Sequence, residues 1–312
     1  MGICNGKWSE LERMQIARSH APVVTYKNKL YVFGGGGADF KSLDSCLRFD
    51  PETNSWSDIA SMPTKRSGTA AFLIKDKIYI IGGGYKKPDG NFQFLTTVEV
   101  YDPENDSWAT APDMLQPHDY PAATTIGDTI YILGGHHPEA CFGGPKTDPG
   151  FEFCERWSPG DSKWEQIADL PTPRFAASAL TRGDKIYTSG GVAFTPQGFN
   201  NFDFFETYSS QDNSWYKDDT ITLPWEAAGQ GMCNVDDNFF FIGGYSTDNI
   251  HPRASVHLTS DNQWHQLPDM PAPRAAMGIA SLNNTIYLVG GWADDGRTPL
   301  NSVLAYHWQP EE

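Results

Sequence analysis

A pair of adjacent glycines recurs along this chain and constrains its fold more than any other feature. The six pairs are Gly34-Gly35, Gly82-Gly83, Gly134-Gly135, Gly190-Gly191, Gly243-Gly244 and Gly290-Gly291. Successive pairs are 47 to 56 residues apart. A repeat of about 50 residues that ends a buried strand in glycine predicts one blade of a β-propeller.

The second repeat shows the strands of one unit most clearly. Arg66–Phe72 is a stretch of small residues, Lys77–Gly83 is β-branched and closes in glycine, and Thr97–Asp102 alternates in character. A turn at 103–106 leads to a further stretch that opens at Ser107. Stretches of this kind joined by turns predict a four-stranded antiparallel sheet in each repeat.

Aromatic residues keep a fixed spacing in the repeats. In the second repeat, Tyr101 precedes Trp108 by seven residues. The same spacing separates Phe49 and Trp56, Trp157 and Trp164, Tyr208 and Trp215, and His257 and Trp264. Large side chains at a fixed repeat position are typical of a core between blades, so we interpret these aromatics as packing residues.

The double glycine followed by a spaced tyrosine and tryptophan resembles the kelch-repeat family, and the resemblance extends over essentially the whole chain. It implies an all-β fold, a six-bladed β-propeller of four-stranded antiparallel blades, as a single domain over residues 1–312. In that family the first strand of each blade lies innermost and the fourth lies outermost. No segment resembles the BTB module that often accompanies kelch propellers.

The two ends of the chain predict how the ring closes. The last repeat stops at a third strand, Ser302–His307, while Trp8 stands before the first double glycine. The segment Lys7–Leu11 is therefore expected to supply the outer strand of the last blade. That pairing removes two exposed strand edges at once.

Composition narrows the classes of partner. The net charge of −16 argues against nucleic acid and anionic membrane surfaces, because a polyanion would be repelled. No apolar run is long enough for a signal peptide or a membrane span. Five cysteines without a Cys-x-x-Cys motif indicate reduced thiols, which are typical of a cytoplasmic protein. We also expect the protein to be a monomer. The start, Met1–Gly6, half resembles a myristoylation signal, with Gly6 where Ser or Thr is wanted.

A second fixed interval predicts a ring of side chains at one mouth of the channel. The residues 16 positions before the first glycine of each pair are Arg18, Arg66, His118, Arg174, Ala227 and Arg274. In kelch proteins this position opens the inner strand, at the face where family members usually hold ligands. Guanidinium groups suit carboxylate, phosphate or sulfate. The arginines thus indicate either a basic site for an anion or internal pairs with loop carboxylates.

The residues two positions further along should face the same way in a strand. They are His20, Gly68, Tyr120, Ala176, Gly229 and Ala276. Most are tiny, as a crowded axis requires, and His20 and Tyr120 are the exceptions. Imidazole and phenol groups transfer protons when they lie beside a substrate. We therefore consider His20, Tyr120 and His118 as candidate catalytic residues; the alternative is that they are hydrogen-bonded wall residues.

The loops around this mouth are long and rich in aromatic residues. Loops of such length are uncommon without a role. They predict apolar walls around a pocket for a small ligand or a peptide, or else aromatic packing among the loops themselves. The candidate ligand-contacting residues are Tyr85, His136, Trp225, Tyr245 and Trp292.

No metal and no cofactor is predicted. His118, Asp119, His136 and His137 could approach one another, but adjacent histidines normally point apart and no tight ligand spacing is present. The glycine run at 34–37 ends a strand and opens no helix, so it does not match a dinucleotide-binding or phosphate-binding loop.

Two functions from different classes fit this sequence. One is a binding module that holds an anionic small molecule or an acidic peptide at the channel mouth, which the resemblance to kelch propellers favours. The other is an enzyme that performs acid–base chemistry on a small anionic metabolite, of the mutarotase, isomerase or cyclase type, similar to the six-bladed kelch sialate mutarotases. In that case the arginines would hold a carboxylate, and His20, His118 or Tyr120 would move protons.

Overall fold

The computed structural model describes residues 6–141, 147–247, 249–258 and 260–309. Met1–Asn5 lies outside these ranges. This segment includes Cys4 and most of the residues that resemble a myristoylation signal.

Short β-strands make up the first half of the described chain. They are β1 (Trp8–Leu11), β2 (Val23–Tyr26), β3 (Lys29–Phe33), β4 (Cys46–Asp50), β5 (Ser55–Ile59), β6 (Ala70–Ile74), β7 (Lys77–Ile81), β8 (Gly84–Lys86), β9 (Phe92–Phe94), β10 (Val98–Asp102), β11 (Ser107–Ala111), β12 (Ala122–Ile126), β13 (Thr129–Leu133), β14 (Cys154–Trp157) and β15 (Glu165–Gln166). Two short 3-10 helices, Ala38–Phe40 and Pro138–Cys141, interrupt them.

The second half continues in the same way. Its strands are β16 (Ser178–Arg182), β17 (Lys185–Ser189), β18 (Val192–Thr195), β19 (Gly198–Asn201), β20 (Phe204–Ser209), β21 (Ser214–Thr222), β22 (Gly231–Val235), β23 (Asn238–Ile242), β24 (Tyr245–Ser246), β25 (Asn249–Ile250), β26 (Ala254–Leu258), β27 (Gln263–Leu267), β28 (Gly278–Leu282), β29 (Thr285–Val289) and β30 (Val303–His307).

Each repeat forms one four-stranded antiparallel sheet, and the six sheets are the blades of a propeller. In chain order the first five blades are β2-β3-β4-β5, β6-β7-β10-β11, β12-β13-β14-β15, β16-β17-β20-β21 and β22-β23-β26-β27. The sixth blade, β28-β29-β30-β1, takes its outer strand from the other end of the chain, with Trp8 opposite Tyr306. The predicted fold class and the predicted ring closure are both confirmed.

The first strand of each blade lies at the centre of the ring. These strands, β2, β6, β12, β16, β22 and β28, contact one another in sequence, and β28 contacts β2 to close the circle. Three additional hairpins, β8-β9, β18-β19 and β24-β25, lie in loops that follow a double glycine. The loops between the second and third strands therefore emerge together at one end of the propeller.

The double glycine links each blade to the next. The N–H of Gly35 donates to the backbone oxygen of Arg66 at 2.9 Å, and the last such bond runs from Gly291 to Arg18, also at 2.9 Å. The φ of Gly35 is 99°, and a Cβ added there would lie 2.6 Å from the carbonyl oxygen of Ser19. A residue with a side chain at this position would therefore disrupt the blade junction.

A second ring of backbone hydrogen bonds surrounds the axis. Each member donates its N–H to the carbonyl of the member before it at 2.6–3.1 Å, and His20 closes the ring onto Ala276. The members are His20, Gly68, Tyr120, Ala176, Gly229 and Ala276. All have φ between 52° and 67°, so they lie in left-handed turns just before the inner strands, and not within strands as the spacing had suggested.

The aromatic pairs lie between blades, as predicted. Tyr101 packs against Phe33 of the preceding blade at a centroid distance of 5.6 Å and against its own Trp108 at 5.1 Å. Trp108 Nε1 donates to the Ala60 carbonyl at 2.9 Å, again in the preceding blade. Equivalent indole bonds recur at Trp56, Trp164 and Trp215.

A substitution series tests how the buried arginines stabilise the blades. The Nη2 of Arg66 lies 3.0 Å from Glu99 Oε1, and both side chains are buried. Arg66→Leu should lower the free energy of unfolding by about 3–5 kcal/mol, because it leaves the Glu99 carboxylate buried without its partner. Urea denaturation followed by tryptophan fluorescence measures this change.

Glu99→Leu is the matched control, because leucine occupies the equivalent register position in the first and sixth blades, at Leu47 and Leu304. This variant should be destabilised by less than Arg66→Leu. Equal losses in the two variants would show that the arginine does not stabilise the blade beyond its pairing with Glu99.

Candidate functional site

A cavity of about 820 Å³ lies at the end of the propeller where the loops after the double glycines emerge. Three axial residues, His20, Gly68 and Tyr120, belong to its lining. The rest of the wall is largely aromatic, with Phe40, Phe92, Phe94, Phe175, Phe194, Phe199, Tyr245 and Trp292. This volume suits a small molecule or a side chain of a bound peptide.

The structure brings five of the predicted site residues together in this lining: His20, Tyr120, His136, Tyr245 and Trp292. Two predicted aromatic contacts lie elsewhere. Tyr85 packs beneath Lys65, whose Nζ is 5.6 Å from the ring centroid. Trp225 packs on Phe241 at a centroid distance of 4.7 Å.

The predicted arginines are buried within the blades and do not line the cavity. Arg18, Arg66, Arg174 and Arg274 are only 0–2% exposed. Each donates Nη1 to the carbonyl of the first glycine of its own blade. Arg66 and Arg174 also pair with buried glutamates, Glu99 and Glu206. Arg18 and Arg274 bond instead to the carbonyl and hydroxyl oxygens of Ser45 and Ser302. The arginines are thus held inside the blades, but mainly by carbonyl groups and strand glutamates and not by the loop carboxylates that the sequence suggested.

Burial lowers the pKa of all four of these arginines. It brings the pKa of Arg18, Arg174 and Arg274 to about 10. The groups therefore stay protonated at neutral pH and can donate to the glycine carbonyls without a change of charge.

His118 and Trp225 take the arginine's place in the third and fifth blades. His118 Nδ1 lies 2.6 Å from the Gly134 carbonyl oxygen, and its Nε2 lies 3.1 Å from Glu155 Oε1. Trp225 Nε1 donates to the Gly243 carbonyl at 3.1 Å. Ala227, two residues later, stands at the position that arginine occupies in other blades. Neither His118 nor Trp225 lines the cavity, so both have a structural contact in place of the catalytic or ligand contact that the sequence suggested.

A charged group of three side chains forms one side of the cavity. His136 Nδ1 lies 2.6 Å from Asp148 Oδ2, and its Nε2 lies 4.0 Å from Asp119 Oδ2. The other Asp148 oxygen accepts backbone N–H groups from His137 at 3.1 Å and Gly150 at 3.0 Å. Stacking on Phe175 at 4.0 Å fixes the plane of the His136 ring. The arrangement orients one histidine nitrogen toward the cavity side, beside a second carboxylate.

These contacts raise the pKa values of both His136 and Asp119. Burial lowers the pKa of His136, but its hydrogen bond to Asp148 and the charges of Asp119 and Asp148 outweigh burial and raise the pKa. Burial and the charge of Asp148 raise the pKa of Asp119 to about 6, against the opposing effect of His136. The pKa values of both groups are therefore raised above their ordinary values.

His20 lies across the cavity base in an aromatic environment. Its Nδ1 is 2.8 Å from Ser19 Oγ, and its ring meets Tyr120 at 4.6 Å and Trp292 at 4.4 Å. Burial and the nearby charge of His136 lower the pKa of His20 to about 3. Burial raises the pKa of Tyr120 well above its ordinary value. At neutral pH His20 is thus a neutral imidazole, and Tyr120 is a neutral phenol.

Sequence reasoning missed Asp148 and Phe175, and it considered Asp119 only as a metal ligand. A signal was available for two of them. The interval that located the arginines, shifted by one residue, gives Ser19, Ser67, Asp119 and Phe175, and all four line the cavity. Asp148 has no such signal, because it lies in an irregular loop and reaches the site through its bridge to Phe194.

A metal site and a membrane-spanning helix are both absent from the described part of the chain. No group of three or more His, Cys, Asp or Glu side chains in residues 6–141, 147–247, 249–258 and 260–309 is arranged to hold a metal ion. Within the same ranges, no helix has both the length and the apolar character that crossing a bilayer requires.

The raised pKa of Asp119 makes a prediction about stability. A folded-state pKa of about 6, above the ordinary 3.8, means that protonation favours folding and that this contribution is lost as pH rises through 6. Asp119→Asn should therefore raise the free energy of unfolding at pH 8 by up to about 3 kcal/mol, and by clearly less at pH 5. Urea denaturation at the two pH values measures the difference.

Asp76→Asn is a suitable control, because Asp76 is an exposed aspartate in the turn between β6 and β7, at the other end of the strands. It should show no such pH-dependent gain. A gain for Asp119→Asn that is equal at both pH values would contradict the raised pKa.

Comparisons with known proteins agree with this architecture. The KLHDC2/KLHL20/DRC7 Kelch-repeats domain model matches residues 4–143, and the Kelch motif model matches residues 273–307. Kelch-like protein 23 of Homo sapiens is 28% identical over 218 residues, which cover 69% of this chain and 36% of that protein. Kelch-like protein 26 of Danio rerio is 26% identical over 282 residues, which cover 88% of this chain and 44% of that protein. The chain therefore spans less than half the length of these relatives.

A solved structure shows the same fold. The structure of YjhT matches with a TM-score of 0.76 at 16% sequence identity, over 94% of this chain and 95% of that one. Kelch models match near both ends of the chain, and the six blades close into one ring. The chain belongs to the kelch-repeat β-propeller family.

Proposed function

We propose that this chain is a binding module whose ligand occupies the axial cavity, either as a small molecule or as a side chain of a bound peptide. The observation that carries the proposal is a recess of about 820 Å³ whose lining combines aromatic rings with polar and charged side chains. Ligand sites typically have this composition. Kelch propellers are typically interaction modules, which supports a binding role.

The rim of the cavity supports the same proposal. Phe40 is 45% exposed and Phe199 is 51% exposed, and both line the cavity. Phe40 also has a φ of 59°, an uncommon conformation for a large residue. Aromatic rings that stay in solvent beside a recess are typical of a contact surface.

The charge of the proposed ligand cannot be taken from the arginines. Their Nη groups bond to glycine carbonyls, and among the described cavity-lining residues Arg297 is the one arginine. The same lining contains four aspartates, Asp119, Asp148, Asp294 and Asp295. We therefore keep the predicted place of binding and leave out the anionic character.

A thermal-shift panel tests the binding proposal. The panel contains acidic and basic peptides, sugar acids, amino acids and arylalkylamines. A compound at about 100 times its dissociation constant should add about 2.7 kcal/mol to the stability of the wild type. The double variant Phe40→Ser/Phe199→Ser should lose that stabilisation, because it removes the exposed aromatic rim.

The matched control is Leu73→Ser/Leu115→Ser, which changes two exposed leucines, 38% and 45% exposed, that are not part of the lining. The control should keep the stabilisation. The same ligand response in both double variants would place the binding site elsewhere on the propeller.

A second candidate function is acid–base catalysis on a small molecule, and one observation favours it. His136 is oriented by Asp148 at 2.6 Å, and Asp119, with a pKa of about 6, lies 4.0 Å from the free nitrogen. An imidazole and a carboxyl group that lie side by side, each with a raised pKa, can act as acid and base on one substrate. The candidate residues are thus His136 and Asp119, with Tyr120 as a neutral hydrogen-bond donor.

Anomer exchange of N-acetylneuraminic acid, followed by NMR, tests this second function. If the chain is a mutarotase, wild type should accelerate the exchange over buffer, and His136→Gln should reduce the acceleration by about 100-fold or more. Asp76→Asn should leave the rate unchanged. A wild-type rate equal to the buffer rate would exclude mutarotation of this sugar.

A further inference from the structure

The cavity contains a carboxylate with an unfilled contact. No hydrogen-bond donor among the described residues reaches the side chain of Asp119, whose exposed fraction is 14%. Its nearest basic atom is His136 Nε2 at 4.0 Å, beyond hydrogen-bond distance. A recessed carboxylate in this state gains from a donor that a ligand brings, because it has given up most of its contact with water.

The neighbouring charges do not fill this contact. His136 Nδ1 lies 2.6 Å from Asp148 Oδ2, so the Asp148 carboxylate, and not Asp119, neutralises the positive charge of a protonated His136. Asp148 itself is satisfied, since it also accepts two backbone N–H groups. Within the part of the chain that the structure describes, Asp119 is thus the carboxylate of the pair that has no direct partner.

The lining as a whole carries more negative than positive charge. The described lining residues comprise four aspartates against Arg297 and, when protonated, His136. Asp295 is engaged by its own turn, where it accepts N–H groups from Arg297 at 2.9 Å and Thr298 at 2.8 Å. The remaining excess of negative charge favours a cationic ligand over an anionic one.

The walls suit the same kind of ligand. Trp292, Tyr120 and Tyr245 lie in the lining, with Trp292 at 6.3 Å from Tyr245. The faces of tryptophan and tyrosine rings attract ammonium groups, most strongly where water is excluded. His20 is held as a neutral imidazole between Tyr120 and Trp292, so it adds an aromatic surface without a competing positive charge.

We propose that the ligand of this cavity carries a protonated amine, which Asp119 accepts as its hydrogen-bond donor while the aromatic walls hold an apolar body. This inference rests on the proposed binding function and names its ligand class. The amine can belong to a free arylalkylamine or to a lysine side chain of a peptide. In both cases one N⁺–H···O⁻ bond to Asp119 forms, and the excess of negative charge in the lining falls by one charge.

Three compounds of matched size separate this inference from the general binding function. They are phenethylamine, phenylacetate and 2-phenylethanol, titrated into the full chain at pH 7.5 and followed by NMR chemical-shift changes. We expect phenethylamine to bind at least about 10-fold more tightly than the other two. Equal or tighter binding of phenylacetate or 2-phenylethanol would overturn the amine inference and leave the binding function standing.

Asp119→Asn provides the second arm, and Asp76→Asn is its control. Asp119→Asn should weaken phenethylamine binding at least about 10-fold, whereas Asp76→Asn should not change it. Because Asp119→Asn is expected to stabilise the fold at this pH, a loss of binding would not arise from unfolding. Unchanged affinity in Asp119→Asn would overturn the inference.

A peptide pair distinguishes the two sources of the amine. Acetyl-Phe-Lys-amide and its norleucine analogue differ in the ammonium group alone. Preference for the lysine peptide over phenethylamine supports a peptide ligand, and the reverse supports a free amine. If neither amine binds, the inference fails, and the broader panel of ligands decides separately whether the binding function survives.

Discussion

The junction between blades depends on two adjacent residues that have no side chain. The second glycine of each pair donates to the next blade, and the first presents a carbonyl that a buried side chain holds. At Gly35 and at the equivalent Gly83, an added Cβ would meet backbone atoms of the preceding segment. All six blades use this contact, and the rest of the ring, including the cavity, is assembled around it.

This constraint explains why the repeat pattern predicted the fold so well and the site only in part. The glycines, the spaced aromatics and the missing outer strand have one structural meaning in every blade, so periodicity alone located them. The same periodicity located Arg18 and Arg66, but spacing does not tell whether a guanidinium group faces solvent or a backbone carbonyl. That distinction depends on the left-handed turn after the arginine, which redirects the chain before the inner strand begins.

Two blades have another residue in place of the buried arginine, and spacing alone does not reveal the role of that residue either. His118 and Trp225 looked like functional exceptions in sequence, because they break the repeat. In the structure a ring nitrogen of each residue lies at hydrogen-bond distance from the first glycine carbonyl of its own blade, the contact that arginine makes in the other blades. His20 and Tyr120 also break the repeat, yet they line the cavity. A departure from the repeat therefore does not by itself distinguish a residue that lines the cavity from one that replaces the arginine's contact.

Ring closure has a consequence for when the site can exist. His20 precedes the first blade, and its N–H donates to Ala276 next to the last, while its ring rests on Trp292. The base of the cavity thus joins residues from opposite ends of the sequence, held by the same closure that pairs β1 with β30. Contacts of such sequence separation form late in folding. During synthesis the chain must therefore emerge beyond β30 before the cavity is complete, so the proposed ligand binding would report on a closed ring.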